Sequence, residues 1–181
     1  MKQLLEESLP IYMDDFTIRS FEREDLERLF NWPEHEGQYS MFNSSIKKLS
    51  FDEREKLWRE RDPNSNALTL IVDYKDQKTI GKYSLIMDEI NSSIISNMGI
   101  RMNPDYCDKG YGTEILSTIK EWCFINSIES MGFDVLETNK RAIACYEKVG
   151  FKVVKRYEQY DAYFVDMIVK NKLLDNSCFN I

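Results

Sequence analysis

The stretch that decides the fold is Ile100-Arg101-Met102-Asn103-Pro104-Asp105-Tyr106-Cys107-Asp108-Lys109-Gly110-Tyr111-Gly112-Thr113, an apolar strand that turns at Asn-Pro and runs through a glycine-bracketed loop into a helix. Glycines at 110 and 112 let backbone N–H groups approach an anion closely. The helix that follows adds unpaired N–H donors and the positive end of its dipole. A diphosphate is the natural ligand of such a loop. A dinucleotide fingerprint would need a third glycine where Ile115 stands, and a Walker-type loop would need Gly-Lys-Ser/Thr, whereas Lys109 precedes its glycine. Taken alone, the loop is also compatible with a glycine turn that merely starts a helix.

A second motif follows: Glu137-Thr138-Asn139-Lys140-Arg141-Ala142-Ile143-Ala144-Cys145-Tyr146-Glu147-Lys148-Val149-Gly150-Phe151. With it the chain resembles the GNAT superfamily of acyl-CoA-dependent N-acetyltransferases, nearest the branch named after the ribosomal-protein acetyltransferases RimJ and RimL. The family's acetyl-CoA loop, Gln/Arg-x-x-Gly-x-Gly/Ala, matches Cys107 to Gly112. Its Asn-x-x-Ala-x-x-x-Tyr-x-x-x-Gly-Phe pattern matches Asn139 to Phe151.

The resemblance implies a mixed α/β (α+β) fold. A mostly antiparallel twisted sheet of about six or seven strands would be flanked by about four helices, and the fourth and fifth strands would splay apart around the cofactor. Residues 16–170 would form a single N-acetyltransferase domain, with 1–15 an N-terminal extension and 171–181 a C-terminal tail. The implied co-substrate is acetyl-CoA, with no metal. Its pantetheine arm would pair with the backbone of Ile100 and Met102. Its pyrophosphate would sit on N–H groups of Asp108, Lys109, Gly110, Tyr111, Gly112 and Thr113. Lys109 would add charge there or simply be solvated. Asn139 would contact the pantetheine or cap its helix. Tyr146 would donate to the departing thiolate, its alternative being a core aromatic beside Ala142 and Val149.

Two departures from the family pattern bear on chemistry. Cys107 replaces a long polar residue that could brace the loop, so weaker cofactor affinity is expected. Asn97 stands where relatives in this branch often carry a Glu base, and an amide cannot take a proton. Glu89, Asp88, Glu36, His35 or a water chain are left for that role. These departures keep alive an alternative function, an acetyl-CoA-binding module without catalysis. The acceptor would be a small-molecule amine or a protein N-terminal amine. Trp32, Tyr39, Phe42, Tyr83 and Tyr157 are candidate pocket aromatics, although most aromatics in such a chain are core or rim.

Composition agrees with an ordinary globular domain: 181 residues, 43% of them apolar. A net charge of −7 argues against a nucleic-acid surface and suits a cationic amine. No apolar run reaches the ~20 residues that span a bilayer, and the acidic start Met1-Lys2-Gln3-Leu4-Leu5-Glu6-Glu7 is unlike a signal peptide. A cytoplasmic chain is expected, with Cys107, Cys123, Cys145 and Cys178 reduced and showing no zinc spacing. A homodimer is compatible with the sequence, dimers being the commonest assembly.

The local pattern predicts a strand at 16–19 and a helix at 22–30 capped by Ser20. A second helix at 51–61 is capped by Ser50 with Glu53 in capping-box spacing. Strands follow at 68–73, 80–87 and 94–102, then a helix after the loop buried through Ile115, Leu116, Ile119, Trp122 and Cys123. Another strand spans 133–136, a helix 140–149 stopped by Gly150, and two strands 152–157 and 163–169.

Overall fold

The computed structural model describes residues 1–37, 40, 49–60, 65–75 and 78–175. Six helices lie among them: α1 (Lys2–Glu7), α2 (Asp25–Phe30), α3 (Phe51–Arg59), α4 (Tyr111–Ile125), α5 (Lys140–Val149) and α6 (Lys172–Asp175). Eight strands form one sheet: β1 (Ile11–Tyr12), β2 (Phe16–Ser20), β3 (Ala67–Tyr74), β4 (Lys78–Met87), β5 (Ile94–Met102), β6 (Ser130–Leu136), β7 (Lys152–Gln159) and β8 (Ala162–Lys170). Their spatial order is β1-β2-β3-β4-β5-β6-β8-β7.

Every pairing is antiparallel except β5 with β6, which run parallel and touch only through Ile94↔Ser130 and Ile95↔Met131. Beyond Ile95 the two strands part, and the expected splay is present. α4 buries Ile115, Leu116, Ile119, Trp122 and Cys123 in the core, as its spacing predicts. α5 packs beside it and brings Tyr146 and Val149 into the same core.

Several expectations needed correction. Ser20 does not cap α2. It pairs with Leu70 in the β2–β3 ladder, and the helix starts five residues later without a side-chain cap. There the buried Asp25 accepts the Glu22 N–H (2.8 Å) and a two-pronged grip from Arg19 (2.7 and 2.7 Å). The Ser50–Glu53 capping box does form, Ser50 N–H donating to Glu53 at 2.7 Å and Glu53 N–H to Ser50 Oγ at 3.3 Å. α3 ends at Arg59 with Glu60 as its C-cap, short of the expected 61, a position outside the described residues.

β6 begins three residues earlier than its apolar run suggested, because Ser130 and Met131 pair with both β5 and β8. The N-terminal residues pack on the same body. Leu5 is wholly buried, and Trp122 donates its indole N–H to Ser8 Oγ at 2.9 Å. Past Lys170, the buried Asn171 donates to the Phe124 and Ile128 carbonyls, both at 3.0 Å.

Candidate active site

The splay leaves one edge of β5 unpaired, and the ladder says which groups it presents. Asn103 N–H donates to the Ile80 carbonyl at 2.8 Å, continuing the β4–β5 register Gly81↔Met102 and Lys82↔Arg101. Antiparallel strands alternate bonded and non-bonded pairs, so Arg101 and Gly99 face β4. Met98, Ile100 and Met102 therefore direct their N–H and C=O groups into the gap toward β6. A cavity of about 550 Å³ occupies this gap, lined by Ile100 and Met102 on one side and by Asn139, Ala142, Cys145 and Tyr146 of the α5 side on the other.

The loop closes the cavity's outer end. Asn103 Oδ1 accepts the Asp105 N–H at 3.0 Å and starts a single 3-10 turn over Pro104–Tyr106. Asp108 and Gly110 then take positive φ, +60° and +86°. The N–H groups of Asp108, Lys109, Gly110, Tyr111 and Gly112 make no hydrogen bond among the described residues, whereas Thr113 N–H is already held by the Gly110 carbonyl at 3.0 Å. Five of the six expected donors are thus available, and Thr113 is not. Its hydroxyl instead donates to Cys145 Sγ at 3.3 Å.

Lys109 and Tyr111 do not line the cavity, whereas Tyr106, Cys107 and Asp108 do. Lys109 Nζ donates to the Asp105 carbonyl at 2.6 Å and stands over the Tyr106 ring, so its solvated-surface reading fits better than a phosphate contact. Tyr111 packs into an aromatic cluster with Phe16, Tyr74 and Tyr106. Cys107 donates its S–H to the Asn103 carbonyl at 3.7 Å, bracing the turn in place of the longer residue. Burial raises its thiol pKa, which Arg141 offsets only in part, so a thiolate nucleophile is disfavoured.

Tyr146 is nine-tenths buried, stands edge-on to Phe133 and borders the cavity. Its hydroxyl makes no hydrogen bond among the described residues, yet it is not a sealed orphan, because no buried polar side-chain atom there lacks a partner. The phenol therefore opens on the cavity. Burial, then the neighbouring Cys145, raises its pKa well above the ordinary phenol value, so it is a protonated donor at neutral pH. Asn139 lines the cavity and also caps α5, accepting the Ala142 N–H at 3.2 Å.

Of the candidate bases, Asp88 is committed to the N–H groups of Ile90 and Asn91, both at 2.9 Å, which hold its carboxyl below its usual range. Asn97, Glu89 and Glu36 are exposed and do not line the cavity. His35 does line it. Sequence reasoning missed Arg141, which reaches across the mouth to Asp108 at 3.2 Å. Its place in the first turn of a helix that starts beside the loop was the available signal.

Among the expected pocket aromatics, Tyr83 is wholly buried and donates to Met102 Sδ at 3.4 Å. Tyr157 stacks on Phe164, and Trp32 donates to the Thr79 carbonyl at 2.8 Å beside a separate cleft. Tyr39 and Phe42 lie outside the described residues. No cluster of three or more metal-ligating side chains occurs among the described residues, and none of their helices is long and apolar enough to cross a membrane.

Residues 15–152 match the family model described as Acetyltransferase (GNAT) domain. No curated protein matches the chain. Among solved structures, a spermidine N-acetyltransferase SpeG chimera from Vibrio cholerae and hSSAT aligns with a TM-score of 0.74 at 21% identity, over 90% of this chain and 99% of its own. An uncharacterized protein, bh2621 from Bacillus halodurans, gives 0.73 at 14% over 92% of each chain. The ribosomal-protein-S5-alanine acetyltransferase from Vibrio fischeri gives 0.65 at 14%, over 91% of this chain and 98% of its own. At these identities the likeness is one of fold.

Proposed function

Because the chain belongs to the GNAT acetyltransferase family, whose members transfer the acetyl group of acetyl-CoA to an amine, we propose that the cavity between β5 and β6 is its acetyl-CoA site and that Tyr146 is its general acid. The observation that carries this reading is the Tyr146 hydroxyl, protonated and unpartnered among the described residues, opening on the same cavity as the unpaired loop N–H groups. Acetyl-CoA supplies an activated acyl group; the chain's residues hold and polarise it. The gap-facing backbone of Ile100 and Met102 pairs with the pantetheine amides. The N–H groups of Asp108, Lys109, Gly110, Tyr111 and Gly112 take the pyrophosphate at the head of α4. Thr113 adds its place at the helix start rather than its N–H.

A gap-facing N–H of β5 polarises the thioester carbonyl, an effect worth ~3 kcal/mol in acyl transfer. Tyr146 donates a hydrogen bond to the leaving sulfur. Its raised pKa makes full proton transfer uphill, so hydrogen bonding is its main contribution. The amine attacks directly; Asp108, the carboxylate residue among those lining the cavity, is paired with Arg141, and the proton leaves through water.

The acceptor is a primary amine, either a small cationic amine or a protein N-terminus; the acidic balance of −7 favours the former. On the resemblance carried by Cys107–Gly112 and Asn139–Phe151, we further propose that the chain lies nearest the RimJ/RimL branch. Free thiols at Cys107, Cys123 and Cys145 suit a reducing, cytoplasmic setting, and a homodimer is the assembly to test by light scattering. Release of CoA thiol from acetyl-CoA across a panel of polyamines, aminoglycosides and N-terminal peptides tests the reading.

A further inference from the structure

Beside the Pro104–Tyr106 turn lies a second cleft, of about 630 Å³. Tyr106 lines both this cleft and the cofactor cavity and so divides them. In a chain of net charge −7 the cleft is cationic: Arg28, Lys78 and Lys109 line it against one carboxylate residue, Asp105. Arg28 gives one N–H to Asp25 at 3.0 Å, but a guanidinium has five, so it keeps donors for the cleft. Lys78, exposed at the start of β4, enters none of the ion pairs among the described residues. Lys109 stays on the Asp105 carbonyl and contributes field alone.

Beneath these cations sits Asn103, more than nine-tenths buried. Its backbone N–H is held by the Ile80 carbonyl, and its Oδ1 accepts the Asp105 N–H at 3.0 Å, which fixes which way the amide points. The other end, Nδ2, has no hydrogen-bond partner among the described residues. It is not sealed, because no buried polar side-chain atom there lacks a partner, so it opens on the cleft that Asn103 lines. The neighbouring polar groups are already spent: the Trp32 indole on the Thr79 carbonyl, and the Thr79 hydroxyl on Asp73 at 2.7 Å. A largely desolvated donor of this kind is costly until an acceptor reaches it.

We infer that this cleft binds the terminal phosphate of a phosphorylated small molecule, with Asn103 Nδ2, Arg28 and Lys78 donating to its oxygens. A phosphate monoester brings three terminal oxygens and close to two negative charges, which match three converging donors in a field of three cations; a carboxylate would leave part of both unmet. The chemistry is the same whether the phosphate is the 3′-phosphate of a coenzyme A held next door, across Tyr106, or belongs to a separate molecule. The site does not depend on the acetyl-CoA reading.

Inorganic phosphate is the probe, titrated at pH 8 and constant ionic strength into nitrogen-15-labelled full-length protein, with chloride as the balancing ion. The Asn103 side-chain amide and the Trp32 indole N–H are expected to shift saturably. Asn103→Asp keeps the oxygen that holds Asp105 and puts negative charge where the donor was; followed through the indole, it is expected to weaken phosphate binding by at least about tenfold. Lys78→Gln, a surface change that leaves the fold intact, is expected to weaken it about threefold. Repeating the titration with coenzyme A bound separates the sources. A cofactor that fills the cleft itself blocks the Asn103 shift, and Lys78→Gln then loses affinity for coenzyme A but not for dephospho-CoA; a separate ligand leaves the Asn103 shift in place. Signals of Asn103 and Trp32 that stay still in free wild type, or both variants binding phosphate as wild type does, overturn the inference. The backbone amides of 108–112 report the cofactor cavity in the same spectra, so each site can fail alone.

Discussion

Tyr146 stands edge-on against Phe133, ring centroids 4.3 Å apart and planes at 73°, so β6 fixes the tyrosine ring while its hydroxyl opens on the cavity. That contact ties the chemistry to the splay, because Phe133 lies on the strand that parts from β5 just beyond Met131. Phe at position 146 would keep the ring contact and delete only the hydroxyl. Tyr146→Phe is therefore expected to lower kcat by roughly 10- to 1000-fold with little change in acetyl-CoA affinity. Steady-state kinetics beside calorimetry checks this, and unchanged turnover would reduce Tyr146 to packing.

Gly112 separates folding from binding. A Cβ there would meet only Cys145 Sγ, at an ordinary 3.9 Å, so Gly112→Ala is expected to fold with a Tm at least equal to wild type. The same methyl would stand at the helix start where the diphosphate must approach the backbone, so acetyl-CoA affinity is expected to fall by at least about tenfold. Thermal unfolding and calorimetry on one sample distinguish the two effects, and undiminished affinity would move the diphosphate elsewhere.

Asp25 is the buried centre of a charge network, accepting from Arg19, Arg28 at 3.0 Å and the Glu22 N–H, while Arg19 also reaches Asp73 at 2.7 Å. Burial pushes its carboxyl up, but the Arg19 and Glu22 hydrogen bonds outweigh that and hold it below the usual carboxylate range. Asp25→Ala would leave Arg19 with Asp73 and the Ser20 carbonyl but delete its two-pronged partner, and a loss of roughly 1.5–3 kcal/mol is expected in urea unfolding. A loss under about 1 kcal/mol would show that water replaces the carboxylate easily.

Asp134 and Asp166 face each other directly across β6 and β8. A hydrogen bond with Asp134, then burial, pushes the Asp166 carboxyl up to about 6. A raised folded pKa stabilises at low pH, and that contribution is lost as pH rises through about 6. Asp166→Asn is thus expected to gain Tm over wild type at pH 8 and to lose that advantage by pH 5.5. A gap that does not change with pH would mean the two carboxyls do not share a proton.

The strand, loop and helix from Ile100 to Ile125 were legible because hydrophobic period, glycine placement and helix face all agree there. α5 was legible from Asn139 to Gly150 for the same reason, its cap and its left-handed stop at φ +107° both being local. Other features rest on partners distant in sequence. Ser20 has a good cap residue's chemistry, but the β3 ladder claims it. β1 spans two residues, and α1 and α6 a turn or so, too short for any periodicity to show. His35 joins Met102 and Arg141 in one cavity lining, a juxtaposition that only the folded sheet creates. For Lys109 the sequence left a phosphate contact and a solvated side chain equally open, and its ammonium donates to the backbone carbonyl of Asp105.

The most direct measurement is single-turnover acetyl transfer: purified chain with acetyl-CoA and each member of an amine panel, with free CoA thiol and acetylated amine quantified together. The account predicts stoichiometric appearance of both with at least one primary amine, and a strong slowing in Tyr146→Phe under the same conditions. Tight acetyl-CoA binding with neither product from any amine, or equal rates for wild type and Tyr146→Phe, would contradict it.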